Sequence, residues 1–458
     1  MIFRQYYLGC LSHASYLIGD ETTGRAVVVD PQRDVAEYLA DAAEHGLTIE
    51  LVLETHFHAD FLSGHLELAA RTGAAIGYSA VAETEYEIRK LQHGERIELG
   101  EVALEIRHTP GHTPESISIV VWERAGDPAP YGVLTGDTLF IGDVGRPDLL
   151  ASAGVTREEL AELLYGSLHQ QLLSLPDATR VFPAHGAGSA CGKNLSTELT
   201  STIGAQRLEN YALRAPNLEA FVELVTEGQP PAPGYFAHDA SLNKQQRALL
   251  DEAVPPPPLD WEAMQSAVSG GALVLDGRDP VEFARGHLRG AINVGLDGRY
   301  AEFAGSVLSP DRDLVLFVEP GHELEAKNRL ARIGFDRVVG ALAEPIDALR
   351  SHADRVDVAS RLTVSDLGER QAELADVQLV DVRNPGEHRL GTIPGAVNIP
   401  VGQLAERWRE LDPEVPTVVF CAGGYRSSIA ASLLRSNGFT DVSDVLGGYG
   451  AWAQAGEG

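Results

Sequence analysis

The sequence predicts an α/β protein of more than one domain, and three features of the chain support this fold class. Before residue 255, apolar strand-like runs alternate with stretches of helical periodicity. Four consecutive prolines follow at 255–258, and such a stiff segment should neither continue a helix nor lie inside a sheet, which is typical of a domain boundary. After the prolines, one sequence pattern occurs twice. At 458 residues, the chain is long enough for two to four domains that each bury a core.

The elements of the first part of the chain follow from its apolar periodicity. Strands are predicted where apolar residues form short runs, at 26–30, 49–54, 102–108 and 117–122. Helices are predicted where apolar residues recur every three to four positions, at 37–45 and 156–173. This alternation predicts a first α/β domain over residues 1–254.

The second part of the chain contains an internal repeat. One segment starts near Leu273 and the other near Leu379, and from Asp276 and Asp381 onward they align at a constant offset of 105 (381 − 276). The matching pairs are Asp276 and Asp381, Arg278 and Arg383, Pro280 and Pro385, Glu282 and Glu387, Gly290 and Gly395, and Asn293 and Asn398. A duplicated domain explains the repeat, and we predict copies at 259–355 and 360–458.

The two copies differ at one chemically important position. Val318 ends an apolar run in the first copy, and Cys421 ends the corresponding run in the second. A glycine-rich loop follows Cys421, whereas Glu-Pro-Gly-His follows Val318. We therefore expect the first copy to be catalytically inactive and to serve as a spacer or a docking surface.

Composition argues against several classes of function. The formal net charge is −30, and so acidic a protein repels phosphate backbones and anionic lipids, so we expect no binding to nucleic acid or membranes. We also expect a cytoplasmic protein, because no basic segment precedes an apolar run at the start and no run reaches roughly 18 apolar residues. The three cysteines, Cys10, Cys191 and Cys421, are too few and scattered for a disulfide framework, so reduced thiols are expected.

Histidine and aspartate residues follow several predicted strands of the first domain. His56, His58 and Asp60 come soon after the strand at 49–54, and residues two positions apart in an extended segment point to the same side. Because loops that follow strands gather at one edge of a sheet, we predict that these residues and those of three later loops form one metal site. The later candidates, each beside glycine, proline or both, are His112, Asp137 and His185.

The run Thr-His-x-His-x-Asp at 55–60 resembles the motif of the metallo-beta-lactamase superfamily, whose hydrolases carry one further histidine and bind two zinc ions. The resemblance implies an αββα sandwich for the first domain. Phe61 stands where the further histidine would be, and the loss of that ligand argues against a second metal.

Two other segments, 135–148 and 183–194, are similar to those of persulfide dioxygenases, a branch of the superfamily without the binuclear centre. This resemblance implies one Fe(II) per chain, held by His56, His112 and Asp137. Two imidazoles and a carboxylate leave positions for substrate and O2, and iron, unlike zinc, can pass electrons to O2. The resemblance also implies that the neighbouring residues orient the ligands or handle protons; these are His58, Asp60 and His185.

Three more residues are candidates for contact with substrate near this site. Arg146 and Asp148 match a family segment near the thiol-carrier pocket, where Arg146 could pair with a carboxylate or phosphate. The alternative for Arg146 is a surface or interdomain ion pair. Cys191 follows His185 closely enough to approach the iron, although a lone cysteine is more usually a buried structural residue.

The second copy of the repeat carries a cysteine loop. Cys421-Ala-Gly-Gly-Tyr-Arg-Ser lies between an apolar strand and a helical run at 428–434, and the backbone N–H groups of such a loop stabilise a thiolate. This loop, with the segments at 381–383 and 395–398, resembles the rhodanese domain. The resemblance implies that Cys421 takes up a sulfane sulfur with help from Arg426. The residues expected to contact substrate are Gly423, Gly424 and Tyr425.

In their order, the domains resemble the CstB-type fusions of a persulfide dioxygenase with rhodanese domains. The resemblance implies oxidation of a low-molecular-weight thiol persulfide by O2 to sulfite and thiol, coupled to exchange of sulfur between persulfide and thiosulfate through Cys421, in a homo-oligomer. Two alternatives stay open. One is a binuclear zinc hydroxyacylglutathione hydrolase of the glyoxalase II kind with a passenger rhodanese, and the other is a non-enzymatic sulfur sensor or scaffold.

Overall fold

A computed structural model describes residues 1–149, 154–229, 231–373 and 376–456. The chain divides into two compact units. Unit 1 consists of Met1–Ala232 and Phe236–Asp251, and unit 2 consists of Pro233–Tyr235 and Glu252–Gly458. Within the described ranges, no helix has both the length and the apolar character needed to cross a membrane.

In its described residues, unit 1 contains two six-stranded sheets and the helices that cover them. Its strands are β1 (Ile2–Leu8), β2 (His13–Asp20), β3 (Arg25–Val29), β4 (Thr48–Leu53), β5 (Ala75–Ser79), β6 (Arg89–Leu91), β7 (Arg96–Glu98), β8 (Ala103–His108), β9 (Ile117–Trp122), β10 (Gly132–Gly136), β11 (Arg180–Pro183) and β12 (Ser201–Thr202). Its helices are α1 (Ala36–Glu44), α2 (His65–Thr72), α3 (Arg157–Gly166), α4 (Ile203–Glu209), α5 (Leu218–Thr226) and α6 (Phe236–Leu242), and a π-helical segment, Ser167–Leu172, continues α3.

Each sheet of unit 1 runs in sequence order from one edge to the other. In the first sheet, β1, β2 and β3 pair antiparallel, and β3, β4, β5 and β6 pair parallel. In the second sheet, β7 to β10 are antiparallel, β11 is parallel to β10, and β12 is antiparallel to β11.

The alternation of side chains along the strands builds three apolar layers. Tyr16 of β2 joins a core shared with the second sheet, whereas its neighbour Leu17 packs with Tyr38 of α1. In the second sheet, Leu134 faces the shared core and Val133 packs against residues of α3 and α5. Helices therefore cover the outer face of each sheet, and unit 1 is an αββα sandwich.

Unit 2 contains the internal repeat. Its strands are β13 (Pro258–Leu259), β14 (Leu273–Asp276), β15 (His287–Leu288), β16 (Ile292–Asn293), β17 (Leu314–Phe317), β18 (Val338–Leu342), β19 (Val356–Asp357), β20 (Ser360–Leu362), β21 (Gln378–Asp381), β22 (Val397–Asn398), β23 (Thr417–Phe420) and β24 (Val442–Val445). Its helices are α7 (Trp261–Ser269), α8 (Pro280–Arg285), α9 (Tyr300–Val307), α10 (Glu323–Ala331), α11 (Pro345–Ser351), α12 (Val364–Glu373), α13 (Pro385–Arg389), α14 (Val401–Arg407), α15 (Tyr425–Ser436) and α16 (Gly448–Gln454). Short 3-10 turns lie at Ala353–Arg355 and Trp408–Glu410.

The two copies of the repeat have the same topology. The first forms a parallel sheet of order β13-β18-β17-β14-β16, and the second a parallel sheet of order β20-β24-β23-β21-β22. A separate antiparallel pair joins β15 to β19. The duplication inferred from the sequence is therefore present in the fold.

A polar clamp explains why several residues recur at the constant offset. In the first copy, Arg278 donates to the carboxylate of Asp276, and Asn293 Nδ2 donates to the backbone carbonyls of both residues. The second copy repeats these contacts with Arg383, Asp381 and Asn398. The shared residues thus fix the turn after β14 and the turn after β21. Their recurrence in both copies is explained by this structural role and does not indicate a shared catalytic role.

The proline run departs from one expectation. No proline of 255–258 was expected inside a sheet, but Pro258 begins β13 and pairs with Ala341 of β18. β13 lies at the edge of its sheet and has a neighbouring strand on one side only. A proline is tolerated there because its missing N–H group can face away from the neighbouring strand. The expectation was therefore wrong for Pro258, because it did not consider an edge strand.

Candidate metal centre and cysteine loop

The candidate metal ligands of unit 1 lie in loops that follow strands. His56 comes soon after β4, and Asp137 directly follows β10. His112 lies in the loop between β8 and β9, and His185 lies just after β11. None of the four is more than 2% exposed. The sheets therefore bring residues that are far apart in sequence to one buried place.

Three of these side chains form a compact set, which we call the donor set: His56, His112 and Asp137. Their ligand atoms all lie within 4.8 Å of one another. Nε2 of His112 is 3.4 Å from Oδ2 of Asp137, and Nε2 of His56 is 3.9 Å from the same oxygen. A single ion could therefore contact all three side chains.

Hydrogen bonds at Nδ1 direct both imidazoles into the donor set. Nδ1 of His56 lies 3.0 Å from Thr55 Oγ1, and Nδ1 of His112 donates to the backbone carbonyl of Arg146 at 2.8 Å. Nε2 of His56 and both carboxylate oxygens of Asp137 are buried with no hydrogen-bond partner among the described residues. Burial and the neighbouring histidines lower the pKa of His56 well below its ordinary value, which favours the neutral imidazole that metals bind. The donor set therefore fits a metal ion.

A second group of polar side chains lies beside the donor set. The ligand atoms of His58, Asp60 and His185 also lie within 4.8 Å of one another, and Nε2 of His185 is 3.5 Å from Oδ1 of Asp137. Nε2 of His58 is 3.1 Å from Oδ1 of Asp30. Burial opposes a charge on His58, but the carboxylate of Asp30 outweighs it and raises the pKa of His58 to about 9. The group is within reach of the donor set, and its role stays a prediction.

Phe61 fills the space next to this second group. The residue is 1% exposed, and its ring centroid lies 3.9 Å from that of His13 and 4.3 Å from that of His58. A phenyl ring offers no ligand atom, so the second group has one ligand fewer than the superfamily motif supplies. Reasoning from the sequence identified Phe61 but missed His13, because His13 lies in β2, far from the motif, and no spacing connects the two.

Arg146 joins the donor set to the loop that contains Cys191. Its carbonyl accepts from His112, and its N–H donates to the carbonyl of Cys191 at 3.1 Å. Its guanidinium makes two hydrogen bonds of 2.7 Å to Asp148 and one of 3.0 Å to the carbonyl of Ala190. The buried guanidinium is thus engaged within unit 1, in an ion pair whose other member, Asp148, is partly exposed. Contact of Arg146 and Asp148 with substrate stays a prediction.

Cys191 lies against the donor set. Its Sγ and ligand atoms of Asp137 and His185 lie within 4.8 Å of one another, and the residue is buried. Burial, followed by the carboxylates of Asp60 and Asp137, raises the pKa of Cys191 well above its ordinary value and favours the thiol. The structure places Cys191 at the metal pocket, which leaves its contact with substrate a prediction.

In unit 2, Cys421 directly follows β23 and opens the loop that leads into α15. The N–H of Gly424 donates to Cys421 Sγ at 3.0 Å, and Sγ lies 3.6 Å from Ser427 Oγ. Gly424 has a φ of +111°, a backbone conformation that favours glycine. Gly423 is exposed at the surface of the loop. The loop therefore holds a polarised sulfur next to a helix N-terminus.

Two residues of the cysteine loop have partners outside it. Arg426 donates two hydrogen bonds, of 2.7 and 2.8 Å, to the carboxylate of Glu387. Burial opposes the charge on Arg426, but Glu387 and then Cys421 raise the pKa of Arg426. The hydroxyl of Tyr425 donates to the carbonyl of Gly295, in the first copy of the repeat, at 2.8 Å. Arg426 thus lies beside the sulfur, whereas the Tyr425 hydroxyl is engaged by the other copy.

The sequence matches two family models. Residues 8–185 match the metallo-beta-lactamase superfamily, and residues 261–350 and 363–455 each match the rhodanese-like domain. A crystal structure of a metallo-beta-lactamase from Staphylococcus aureus subsp. aureus COL is 34% identical, covers 75% of this chain and 99% of its own, and has a TM-score of 0.67. This chain belongs to the metallo-beta-lactamase superfamily. The metallo-beta-lactamase domain is followed by two rhodanese-like domains, which confirms the predicted fold class.

The metallo-beta-lactamase domain is similar to enzymes of two kinds. Persulfide dioxygenase ETHE1 of Mus musculus is 31% identical over 51% of this chain and 84% of its own length, which confirms the likeness to persulfide dioxygenases. Hydroxyacylglutathione hydrolase of Rhodospirillum rubrum is 32% identical over 60% of this chain and 92% of its own length. A beta-lactamase hydrolase-like protein of Xylella fastidiosa is 29% identical over 61% of this chain, which spans 64% of that relative. Similarity alone therefore does not choose between oxidation and hydrolysis.

Proposed function

We propose that this chain is a persulfide dioxygenase with sulfurtransferase activity. It oxidises a low-molecular-weight thiol persulfide with O2 and water to sulfite and the free thiol at one Fe(II) per chain, and it transfers sulfane sulfur through Cys421. The observation that carries the proposal is the buried donor set of His56, His112 and Asp137, whose Nε2 and carboxylate atoms converge within 4.8 Å.

The donor set suits Fe(II), and the proposed reaction requires iron rather than zinc. Two neutral imidazoles and one carboxylate are the ligand set of non-haem iron oxygenases. Fe(II) held by these residues would supply the redox chemistry that O2 requires and open positions for the persulfide sulfur and O2, whereas zinc supplies neither electron nor radical chemistry.

Neighbouring residues orient the imidazoles of the donor set and bury its side chains. Thr55 and the carbonyl of Arg146 hold the two imidazoles through their Nδ1 atoms. His56, His112 and Asp137 are each at most 2% exposed, so the donor set is shielded from bulk solvent. In the balanced reaction, the S–S bond of the persulfide breaks, O2 and water together supply the oxygens of sulfite, and the thiol leaves with a proton.

Sulfur transfer is assigned to the cysteine loop. The thiolate of Cys421 attacks the sulfane sulfur of thiosulfate, the S–S bond of thiosulfate breaks, and sulfite leaves with the electron pair, so that Cys421 carries a persulfide. The N–H of Gly424, 3.0 Å from Sγ, and the charge of Arg426 stabilise the anionic species. A small thiol then accepts the sulfur and becomes the persulfide that the first site oxidises. The reverse sequence forms thiosulfate from sulfite.

A binuclear zinc thioester hydrolase is the second candidate. The group of His58, Asp60 and His185 beside the donor set favours it, as does the similarity to hydroxyacylglutathione hydrolase. Phe61 argues against it, because its ring occupies the position of a ligand. Metal analysis separates the two: one iron with oxygen uptake supports the dioxygenase, and two zinc ions with thioester hydrolysis support the hydrolase. A sulfur sensor would show neither activity.

The division of labour is tested by replacing the nucleophile of unit 2. Cys421→Ser should abolish exchange of sulfur with thiosulfate, because serine cannot hold a sulfane sulfur, yet leave oxygen uptake with supplied glutathione persulfide unchanged. His112→Ala should do the opposite. Cys10→Ser, the same change at a cysteine that is not among the candidate site residues, serves as the control. Loss of both activities in Cys421→Ser would refute the division of labour.

Three further properties belong to the proposal. Substrates are small sulfur compounds rather than nucleic acid or membrane lipid, in keeping with the net charge of −30. A cytoplasmic location and a homo-oligomeric state follow from composition and family likeness. Size-exclusion chromatography with light scattering tests the oligomeric state.

A further inference from the structure

We propose that the first rhodanese-like copy, which has Val318 in place of the cysteine, positions the Cys421 loop of the second copy through Tyr425. This inference rests on the proposed sulfur transfer at Cys421. Tyr425 is the first residue of α15 and directly follows Gly424, whose N–H donates to Cys421 Sγ at 3.0 Å. A displacement of the Tyr425 side chain would therefore also move the adjacent Gly424 N–H, which donates to the sulfur.

The first copy holds the Tyr425 side chain at both its polar and its apolar part. The hydroxyl donates to the carbonyl of Gly295 at 2.8 Å. The ring lies 5.5 Å from that of Phe303 in an edge-on arrangement. Burial raises the pKa of Tyr425, so the hydroxyl keeps its proton and stays a donor. The side chain is therefore fixed by the copy that lacks the cysteine.

The space that the Tyr425 ring occupies exists because residue 298 is a glycine and has no side chain. A Cβ atom at Gly298 would lie 2.3 Å from Cζ of Tyr425, a distance that forces one of them to move. Arg329 holds this segment in place by donating to the carbonyls of Leu296 at 2.5 Å and Gly298 at 2.7 Å. The segment around Gly298 thus leaves room for the Tyr425 ring, and Arg329 of α10 holds that segment in place.

A second contact fixes α15 further along its length. The N–H of Asn293 donates to Ser432 Oγ at 3.0 Å, and Ser428 Oγ donates to Asn293 Oδ1 at 3.1 Å. All three residues are buried. Because α15 begins at the cysteine loop, contacts at Tyr425 and at these serines together set where the N–H of Gly424 lies relative to the sulfur.

Two glycine substitutions in the same segment test the proposal. Neither Gly295 nor Gly298 has a φ in the left-handed region, so both backbones accept alanine. Gly298→Ala pushes against the Tyr425 ring, whereas a Cβ at Gly295 lies 3.6 Å from the nearest Tyr425 atom and leaves the accepting carbonyl in place. We expect Gly298→Ala to lower kcat for sulfur transfer from thiosulfate to cyanide by about 10-fold to 100-fold, and Gly295→Ala to change it by less than about 2-fold.

Alkylation of Cys421 provides a readout of position. The rate at which iodoacetamide alkylates Cys421 at one fixed pH, followed by mass spectrometry of the Cys421 peptide, reports the surroundings of the sulfur. In Gly298→Ala this rate should fall, because the Gly424 N–H no longer meets the sulfur. Alkylation does not depend on turnover. Failure of the unsubstituted chain to transfer sulfur would refute the proposed function, while the alkylation rate would still test the positioning.

Variants at Tyr425 complete the test. Tyr425→Phe loses only the hydroxyl and should lie between the unsubstituted chain and Gly298→Ala in both readouts. In a chain that carries Tyr425→Ala, adding Gly298→Ala should cause no further loss, because the clashing ring is gone. The proposal is overturned if Gly298→Ala behaves like Gly295→Ala, or if it causes the same loss with and without the tyrosine ring.

Discussion

At the scale of single residues, Phe61 distinguishes the two candidate functions. In a binuclear hydrolase, the second candidate, a histidine at this position would complete the ligands of a second metal ion. Phe61 instead packs its ring between His13 and His58 and contributes no ligand atom. The proposal of one metal ion therefore rests on the packing of Phe61 as well as on the number of ligands.

Restoring the histidine should restore the second ion. We expect Phe61→His to raise the metal content of zinc-grown protein from about one to about two ions per chain and to lower oxygen uptake by the iron-loaded protein, because the added imidazole completes a second ligand group. Elemental analysis measures the metal content. Phe57→His is the matched control, since Phe57 lies in the same loop but packs against Tyr78. An unchanged metal content in Phe61→His would contradict the role given to this residue.

The sequence predicted the candidate ligands but not what surrounds them. Six residues that follow predicted strands were candidates, the resemblance to persulfide dioxygenases selected His56, His112 and Asp137, and the structure brings these three together. Tyr425 was expected to touch substrate, yet its hydroxyl binds a carbonyl that lies 130 residues away. Such a contact depends on how the two copies pack, and local sequence carries no record of it.

At the scale of elements, the two copies share one clamp but give its aspartate different surroundings. In the second copy, Asp381 also accepts from His388 at 3.0 Å and Thr392 at 2.9 Å; although burial opposes its charge, these bonds and Arg383 lower the pKa of Asp381. The first copy has Phe283 and His287 at the aligned positions. There burial dominates and raises the pKa of Asp276.

The first copy should lose stability in mild acid because of His287. The ring of His287 stacks on Phe283 at 3.8 Å, and burial lowers the pKa of His287 from 6.5 to about 4. In the unfolded chain, His287 therefore takes up a proton below pH 6.5. In the folded copy, it takes up a proton only near pH 4. Stability is therefore full above pH 6.5 and falls across this window, by at most about 1.4 kcal/mol per pH unit.

Hydrogen exchange of β14 and β17 in the full chain measures this dependence. His287→Gln should flatten the loss of protection between pH 6.5 and 4.5. His322→Gln, at an exposed histidine of the same copy, should leave the loss as it is. If both variants follow the unsubstituted chain, His287 is not the group that titrates.

Apolar periodicity placed the four strands and two helices that it predicted in unit 1, but it did not detect a change in helical winding. The run predicted at 117–122 is β9, and the run predicted at 102–108 is β8 to within one residue. The helix predicted at 156–173 is instead α3 followed by a π-helical segment, because apolar spacing does not distinguish the two windings. The order of strands in each sheet could not be read from single runs, since it is decided by contacts between them.

At the scale of the whole molecule, one chain combines a metallo-beta-lactamase domain with two rhodanese-like domains. The two proposed reactions share their small molecules: sulfite leaves both the oxidation of a persulfide and the attack of Cys421 on thiosulfate, and a persulfide joins one reaction to the other. Because one chain carries both sites, the donor set and the cysteine loop are always present in equal numbers. The copy without a cysteine has a place in this scheme as the support for the cysteine loop.

The most direct test of the central claim is the ratio of oxygen consumed to sulfite formed by the iron-loaded full chain with glutathione persulfide, measured in an oxygen electrode alongside the metal content. We expect one O2 consumed per sulfite, with about one iron per chain, and no uptake in His112→Ala. Hydrolysis of a glutathione thioester without oxygen uptake, by protein that carries two zinc ions, would contradict it.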